Sequence, residues 1–105
     1  MDWIVEYTKE ARHDLKSLDR TQQLQVLKSI EKVSKNPLPN TEGGYGKPLG
    51  NYMSGKLSGY LKIKLLRFGL RVVYALERKE NVMKIIIISI RDDETVYKMA
   101  QERIK

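Results

Sequence analysis

Tyr60-Leu61-Lys62-Ile63-Lys64-Leu65-Leu66-Arg67-Phe68-Gly69-Leu70-Arg71-Val72-Val73-Tyr74-Ala75-Leu76 reads as two β-strands joined by a turn. From Tyr60 onward polar and apolar residues alternate until Leu66, the period of a half-covered strand. Alternation puts Lys62 and Lys64 on one face and Leu61, Ile63 and Leu65 on the other. The turn decides where Arg71 points. An even loop centred on Arg67-Phe68 pairs Lys64 with Arg71, whereas a three-residue loop pairs Leu65 with Arg71 and drives the arginine into the core. Burying an unpaired guanidinium is costly. The even loop is therefore expected, with Lys62, Lys64, Arg71 and Tyr60 on one face.

Working outward, Val82 to Ile90 is a third β-rich run with four consecutive isoleucines, Ile85 to Ile88. A strand apolar on both faces belongs inside a sheet covered on both sides. Glu77-Arg78-Lys79-Glu80-Asn81 is the polar turn before it. At the start of the chain Trp3-Ile4-Val5-Glu6-Tyr7 reads as a short strand. Thr8 then caps a helix carrying Ala11, Leu15 and Leu18 at helical spacing. Asp19-Arg20-Thr21 breaks that pattern, and a second helix follows with Leu24, Leu27, Ile30 and Val33 as its stripe and Val26 beside it. That helix ends near Asn36, because Pro37 forces the preceding residue toward extended backbone.

The two helices form an antiparallel hairpin, and the Leu61, Ile63, Leu65 side of the sheet is expected to face it. The lysine side is expected to be open. Residues 36–50 hold all three prolines and four of the seven glycines, so they read as a connecting loop. The stretch to about Gly59 stays turn-rich, with Met53 and Leu57 available for packing. Asp92 or Asp93 caps a final helix that carries Glu94 in its first turn and Lys98, Arg103 and Lys105 near its end, as the helix dipole prefers. The order is β-α-α-β-β-β-α: an α+β fold with a small antiparallel sheet, an N-terminal helical hairpin and a C-terminal helix.

A chain of 105 residues with 41% hydrophobic residues can build one modest core, so residues 1–105 are read as a single domain. There is no cysteine, hence no disulfide framework and no thiolate metal site. The first residues lack the basic and apolar segments of a signal peptide, and no apolar run approaches ~18 residues. A soluble cytoplasmic protein with no membrane partner is expected. The net charge of +7 is uneven: residues 1–40 hold seven Lys/Arg against six Asp/Glu, and residues 41–105 hold thirteen against seven. The excess sits in the half that carries the cation cluster, and a basic face favours nucleic acid or an acidic protein.

Arg91 ends the third strand, and Tyr97 lies six residues on in the last helix, both within reach of the lysine face. Each residue alone has an ordinary explanation. Lys62 and Lys64 suit a solvated strand face, Arg71 a surface ion pair, Arg91 a salt bridge to Asp92 or Asp93, and Tyr97 a core position. Convergence changes the balance, because gathered like charges cost stability unless an anion sits among them. Asp92-Asp93-Glu94 at a helix start reads as capping, so no metal and no cofactor is expected. His13 is the sole histidine and reads as a surface residue, which removes histidine-pair and Ser-His chemistry. Gly43-Gly44-Tyr45-Gly46-Lys47 lacks the flanking strand and helix of a phosphate loop.

Metal-free attack of an RNA 2′-hydroxyl on the adjacent phosphate remains open to such a cluster. Preplaced cations stabilise the charge that builds on the phosphate. A lysine, with a pKa of ~10.4 in isolation, accepts the proton only if neighbouring cations lower it. Arg71 and Arg91 would clamp the phosphate, and Tyr97 would stack on a base or steady the leaving group.

The ordered set of these pieces resembles the RelE/ParE superfamily of type II toxin–antitoxin toxins, its RelE branch in particular. The pieces are the aromatic-led opening strand, the hairpin ending in Asn36-Pro37, Lys47-Pro48-Leu49-Gly50, Tyr60 to Leu65, Gly69-Leu70-Arg71-Val72-Val73-Tyr74, and Arg91-Asp92-Asp93-Glu94-Thr95-Val96-Tyr97. The resemblance implies a ribosome-dependent endoribonuclease that cuts mRNA in the A site without metal and inhibits translation. It implies Lys64 as general base, Lys62 as transition-state stabiliser and Arg71 as phosphate clamp. Arg91 would act on the leaving group, and Tyr97 would position the substrate. Lys56, Tyr60 and Arg67 are expected to contact RNA or the ribosome. A cognate antitoxin is implied as partner, with operator DNA bound only through the antitoxin complex. Two other readings stand beside this one: a ParE-type toxin that inhibits DNA gyrase without nuclease activity, and a non-catalytic relative that only binds nucleic acid or the ribosome.

Overall fold

The structure, a computed structural model, describes residues 3–49 and 59–104. The expected packing of Met53 and Leu57 and the expected RNA contact of Lys56 lie outside the described residues. Strand β1 (Ile4–Tyr7) leads into helices α1 (Lys9–Ser17) and α2 (Arg20–Ser34). Then come the short strand β2 (Lys47–Pro48), strands β3 (Tyr60–Leu65), β4 (Leu70–Glu77) and β5 (Val82–Ser89), and helix α3 (Asp93–Arg103). They form one five-stranded sheet in the order β1-β5-β4-β3-β2, antiparallel except for β1 beside β5. The α+β class and element order follow the sequence reading, with β5 interior as expected. Strand β2 is an addition, since two residues ending in proline carry no alternation to read.

Local chemistry accounts for the boundaries. Thr8 Oγ1 accepts the Ala11 N–H and caps α1. Asp19 and Gln22 form a reciprocal capping box at the start of α2. Gln23 Nε2 donates to the carbonyls of Leu15 and Leu18, closing the corner between the helices. Asp92 Oδ1 accepts the Thr95 N–H and caps α3. The β3–β4 hairpin pairs Leu65 with Leu70 and Lys64 with Arg71, so the loop is even.

The sheet is covered on both faces. Ala11, Val26, Ile30 and Val33 of the helical hairpin pack on Leu61, Leu65, Val72, Tyr74, Ile85 and Ile88. On the opposite face Val96, Tyr97 and Ala100 of α3 pack on Val73, Ile86 and Ile87. The lysine face is thus not fully open, as the sequence reading had it, because α3 lies across part of it. The isoleucine run serves both cores through a β-bulge. Val73 pairs with Ile87 and Tyr74 with Ile85, which leaves Ile86 as the extra residue and switches the facing of the strand at that point.

Strand β1 ends at Ile85, where the Thr8 N–H donates to the Ile85 carbonyl. Past that point two side chains replace the missing strand. Arg103 Nη1 donates to the Ile86 carbonyl at 2.9 Å, and Asp14 Oδ2 accepts the Ile88 N–H at 3.0 Å. Arg103 and Asp14 also form a two-pronged ion pair at 2.6 and 3.1 Å. The pair ties α3 on one face of the sheet to α1 on the other.

Tyr74 is fully buried and donates its hydroxyl to the Pro37 carbonyl at 2.8 Å, and burial pushes its pKa well above the usual phenol value. This bond pins the segment after α2 to the sheet, and Gly46 lies against it. A Cβ on Gly46 would collide with the Tyr74 hydroxyl and press on the Pro37 carbonyl at 3.0 Å. Gly46→Ala should therefore cost about 1–3 kcal/mol, read as a lower urea midpoint. An unchanged midpoint would show that this segment yields freely.

Candidate active site

Antiparallel pairing sets the cations in rows on the α3 side of the sheet. Lys64 lies opposite Arg71, and Arg71 opposite Ser89. Two residues away Lys62 lies opposite Val73, and on its other side opposite Lys47 of β2. Directly opposed residues share a face, so Lys47, Lys62, Lys64 and Arg71 form two like-charge cross-strand pairs on one surface. Such pairs are destabilising on their own.

Arg71 Nη1 donates to the Arg91 carbonyl at 2.7 Å, which sets the guanidinium beside the bend that follows β5. Ser89 Oγ accepts the Arg91 N–H at 3.0 Å and shapes that bend. Arg91 itself is exposed. Asp92, its neighbour, spends one carboxylate oxygen on the helix cap.

Lys62 Nζ donates to the Tyr97 hydroxyl at 2.6 Å, and its distance from the ring centroid is 5.4 Å. That distance is close to the sum of the ring radius, the C–O bond and the hydrogen bond. The ammonium therefore lies off the hydroxyl tip and not over the ring face. Tyr97 is only 2% exposed, its ring packed with Val73, Ile87 and Val96, so its hydroxyl faces Lys62 while the ring is covered.

The structure thus gathers Lys62, Lys64, Arg71 and Tyr97 around one surface, with Arg91 joined through its backbone. Tyr60 is half-buried at the start of the same strand and packs against the α3 core. Arg67 is exposed in the hairpin turn, 5.9 Å from the Phe68 ring. Two contributors were not singled out from sequence. Lys47 faces Lys62 through a strand too short to show a period. Ser89 acts through a local hydrogen bond, and its position two residues before Arg91 is the only hint it carries. Among the described residues no group of three or more His, Asp or Glu side chains is placed to hold a metal ion.

A five-stranded sheet with a helical hairpin on one face, a C-terminal helix on the other and a basic strand pair between them defines a class of small toxins. A family model for the ParE toxin of type II toxin–antitoxin systems, parDE, matches residues 5–97, and the chain belongs to that family. It is similar to a RelE-like toxin protein of Escherichia coli, 27% identical over 108 residues and covering 100% of both chains.

Solved structures agree in fold. A mutant of the E. coli toxin RelE in the free state superposes with a TM-score of 0.75 at 24% identity, covering 100% of each chain. The toxin of the RelBE2 toxin–antitoxin complex of Mycobacterium tuberculosis gives 0.69 at 23% identity, covering 89% of this chain and 95% of the other. Among the described residues no helix is long and apolar enough to cross a membrane.

Proposed function

We propose that the chain is a ribosome-dependent endoribonuclease that cuts mRNA in the A site by 2′-hydroxyl attack on the adjacent phosphate. The observation that carries this reading is the pair of like-charge cross-strand contacts, Lys47 with Lys62 and Lys64 with Arg71, on one face. An anion seated among them turns a cost into a gain. Lys64 accepts the 2′-hydroxyl proton as the new O–P bond forms. Lys62, aimed by the Tyr97 hydroxyl, and Arg71 stabilise the charge on the phosphate oxygens. Arg91 stabilises the charge on the departing 5′-oxygen, which takes its proton from solvent, while the proton on Lys64 returns to solvent. The products are a 2′,3′-cyclic phosphate and a 5′-hydroxyl. Tyr97 acts through Lys62 and not by stacking on a base.

An antitoxin is the second partner, since solved relatives include toxin–antitoxin complexes. An acidic segment would satisfy the same cations, and operator DNA would be reached through that complex.

The test is purified toxin added to ribosomes holding a defined A-site codon. The expected outcome is a cut within that codon, a cyclic phosphate terminus, and no cut when the attacking nucleotide is 2′-deoxy. Absence of A-site cutting would overturn the reading. The match to a ParE toxin family model favours a second reading, inhibition of DNA gyrase by binding alone. It predicts loss of supercoiling activity in a gyrase assay and no mRNA cleavage.

A further inference from the structure

The sheet edge beside β1 carries a second cationic surface, separate from the β2–β3–β4 face. A cleft of about 730 Å³ opens between the end of β1, the outer face of α1 and the end of α3. Its lining includes Tyr7, Lys9, Arg12, His13, Lys16 and Arg103, with Glu10 as its carboxylate. Lys9, Arg12, His13 and Lys16 fall at i, i+3, i+4 and i+7, a single stripe along the helix that spans about 10 Å.

Three features set this stripe apart from an ordinary solvated face. Like charges at these spacings destabilise a helix. Lys9 is the first residue of α1, where the dipole disfavours a cation. Four ion pairs among the described residues engage Arg78, Lys84, Lys98 and Arg103 with Glu42, Glu77, Glu94 and Asp14, and none of these four engages Lys9, Arg12 or Lys16. Arg103 is held by Asp14, so it forms a fixed wall of the cleft. Local rules are broken together at one place, as at sites shaped for a ligand.

We propose that the α1 stripe binds the phosphate backbone of folded RNA, apart from the strand that is cut. An acidic protein segment is the weaker match. Protein interfaces are depleted in lysine and centre on exposed aromatic or aliphatic anchors. Most of the large exposed apolar residues, namely Leu24, Leu27, Tyr45, Leu66 and Ile90, lie on α2, in loops or at the far turns, and none lines this cleft. Phosphate binding needs only cations at spaced positions. The inference extends the proposed action on RNA, in that a second grip would raise the effective concentration of the cutting face at its target.

The test measures binding of a fluorescein-labelled RNA hairpin of about 16 base pairs by anisotropy over a salt series. Arg12→Glu/Lys16→Glu is expected to weaken binding by about tenfold or more and to make the slope of log K against log salt shallower by about 2. Lys62→Ala/Arg71→Ala should abolish cleavage on ribosomes yet leave the stripe's share of that slope in place, so failure of the nuclease reading is seen separately. Lys9→Glu is a second variant that matches the helix dipole and cannot weaken binding by unfolding α1. Equal hairpin affinity and slope in all the stripe variants would overturn the proposal. So would tighter binding of a labelled polyglutamate peptide that the same substitutions abolish while hairpin binding persists.

Discussion

Lys64→Ala is expected to lower the single-turnover rate of A-site cleavage by roughly 10²–10⁴-fold, the range for loss of a positioned general base. The argument starts from the backbone. Lys64 sits one pair in from the turn end of the β3–β4 ladder, directly opposite Arg71, so its Cα is held by strand pairing and its amine shares a surface with a guanidinium. That placement fixes the amine at the strand position where the attacking hydroxyl would be met, and positioning is what a general base requires.

The same geometry predicts that stability will not follow activity. Removing one member of a like-charge cross-strand pair relieves the repulsion within that pair, so Lys64→Ala should shift the urea midpoint far less than it lowers the rate. Lys64→Arg separates charge from basicity: it keeps RNA affinity but cannot give up a proton, and so should stay inactive. The rising limb of the pH–rate profile should disappear in Lys64→Ala. If that limb survives unchanged, Lys64 is not the base. Wild-type rates in Arg91→Ala would likewise remove Arg91 from the leaving-group role.

What could be read in the sequence depended on how far apart the deciding residues lie. The hairpin was legible because alternation, turn parity and the cost of burying Arg71 all act within a dozen residues. The helix cap at Thr8 was legible for the same reason, as was a cap at Asp92 or Asp93, since each observed cap is a bond to a residue three positions on. The bulge at Ile86 was not. Four identical residues carry no contrast between faces, and which isoleucine is extra is settled by the strands on either side.

The placement of α3 over the lysine face was also hidden. Its apolar residues Val96, Tyr97 and Ala100 announce a buried side but not which sheet face receives it. As a result Lys62 and Tyr97, 35 residues apart, could be assigned to one site but not to one hydrogen bond. Arg103 illustrates the limit most plainly. At the end of a helix it reads as a dipole partner, yet in the fold it reaches an aspartate 89 residues earlier.

That ion pair gives the largest expected effect on stability. Asp14→Ala should cost about 3 kcal/mol, toward the lower end of the range for breaking a buried pair, because the two side chains keep 13% and 18% exposure. Three losses coincide: the charge pair, the acceptor for the Ile88 N–H, and the anchor that holds Arg103 on the Ile86 carbonyl. A domain of this size has a stability of only about 5–15 kcal/mol, so the change is a substantial fraction of the total.

Arg103→Ala should cost a similar amount, and the double variant should cost clearly less than the sum, since each single variant already strands the other partner. Urea denaturation of the four proteins measures this directly, and additive losses would show that the two side chains act independently. The pair also holds α3 to the sheet edge six residues beyond Tyr97, so loosening it frees the helix that aims Lys62. Arg103→Ala should therefore slow cleavage even at temperatures where the protein remains folded. Amide exchange at Ile88 should speed up in Asp14→Ala, because its acceptor is gone, whereas exchange at Val73 in the β4–β5 ladder should change only as far as global stability does.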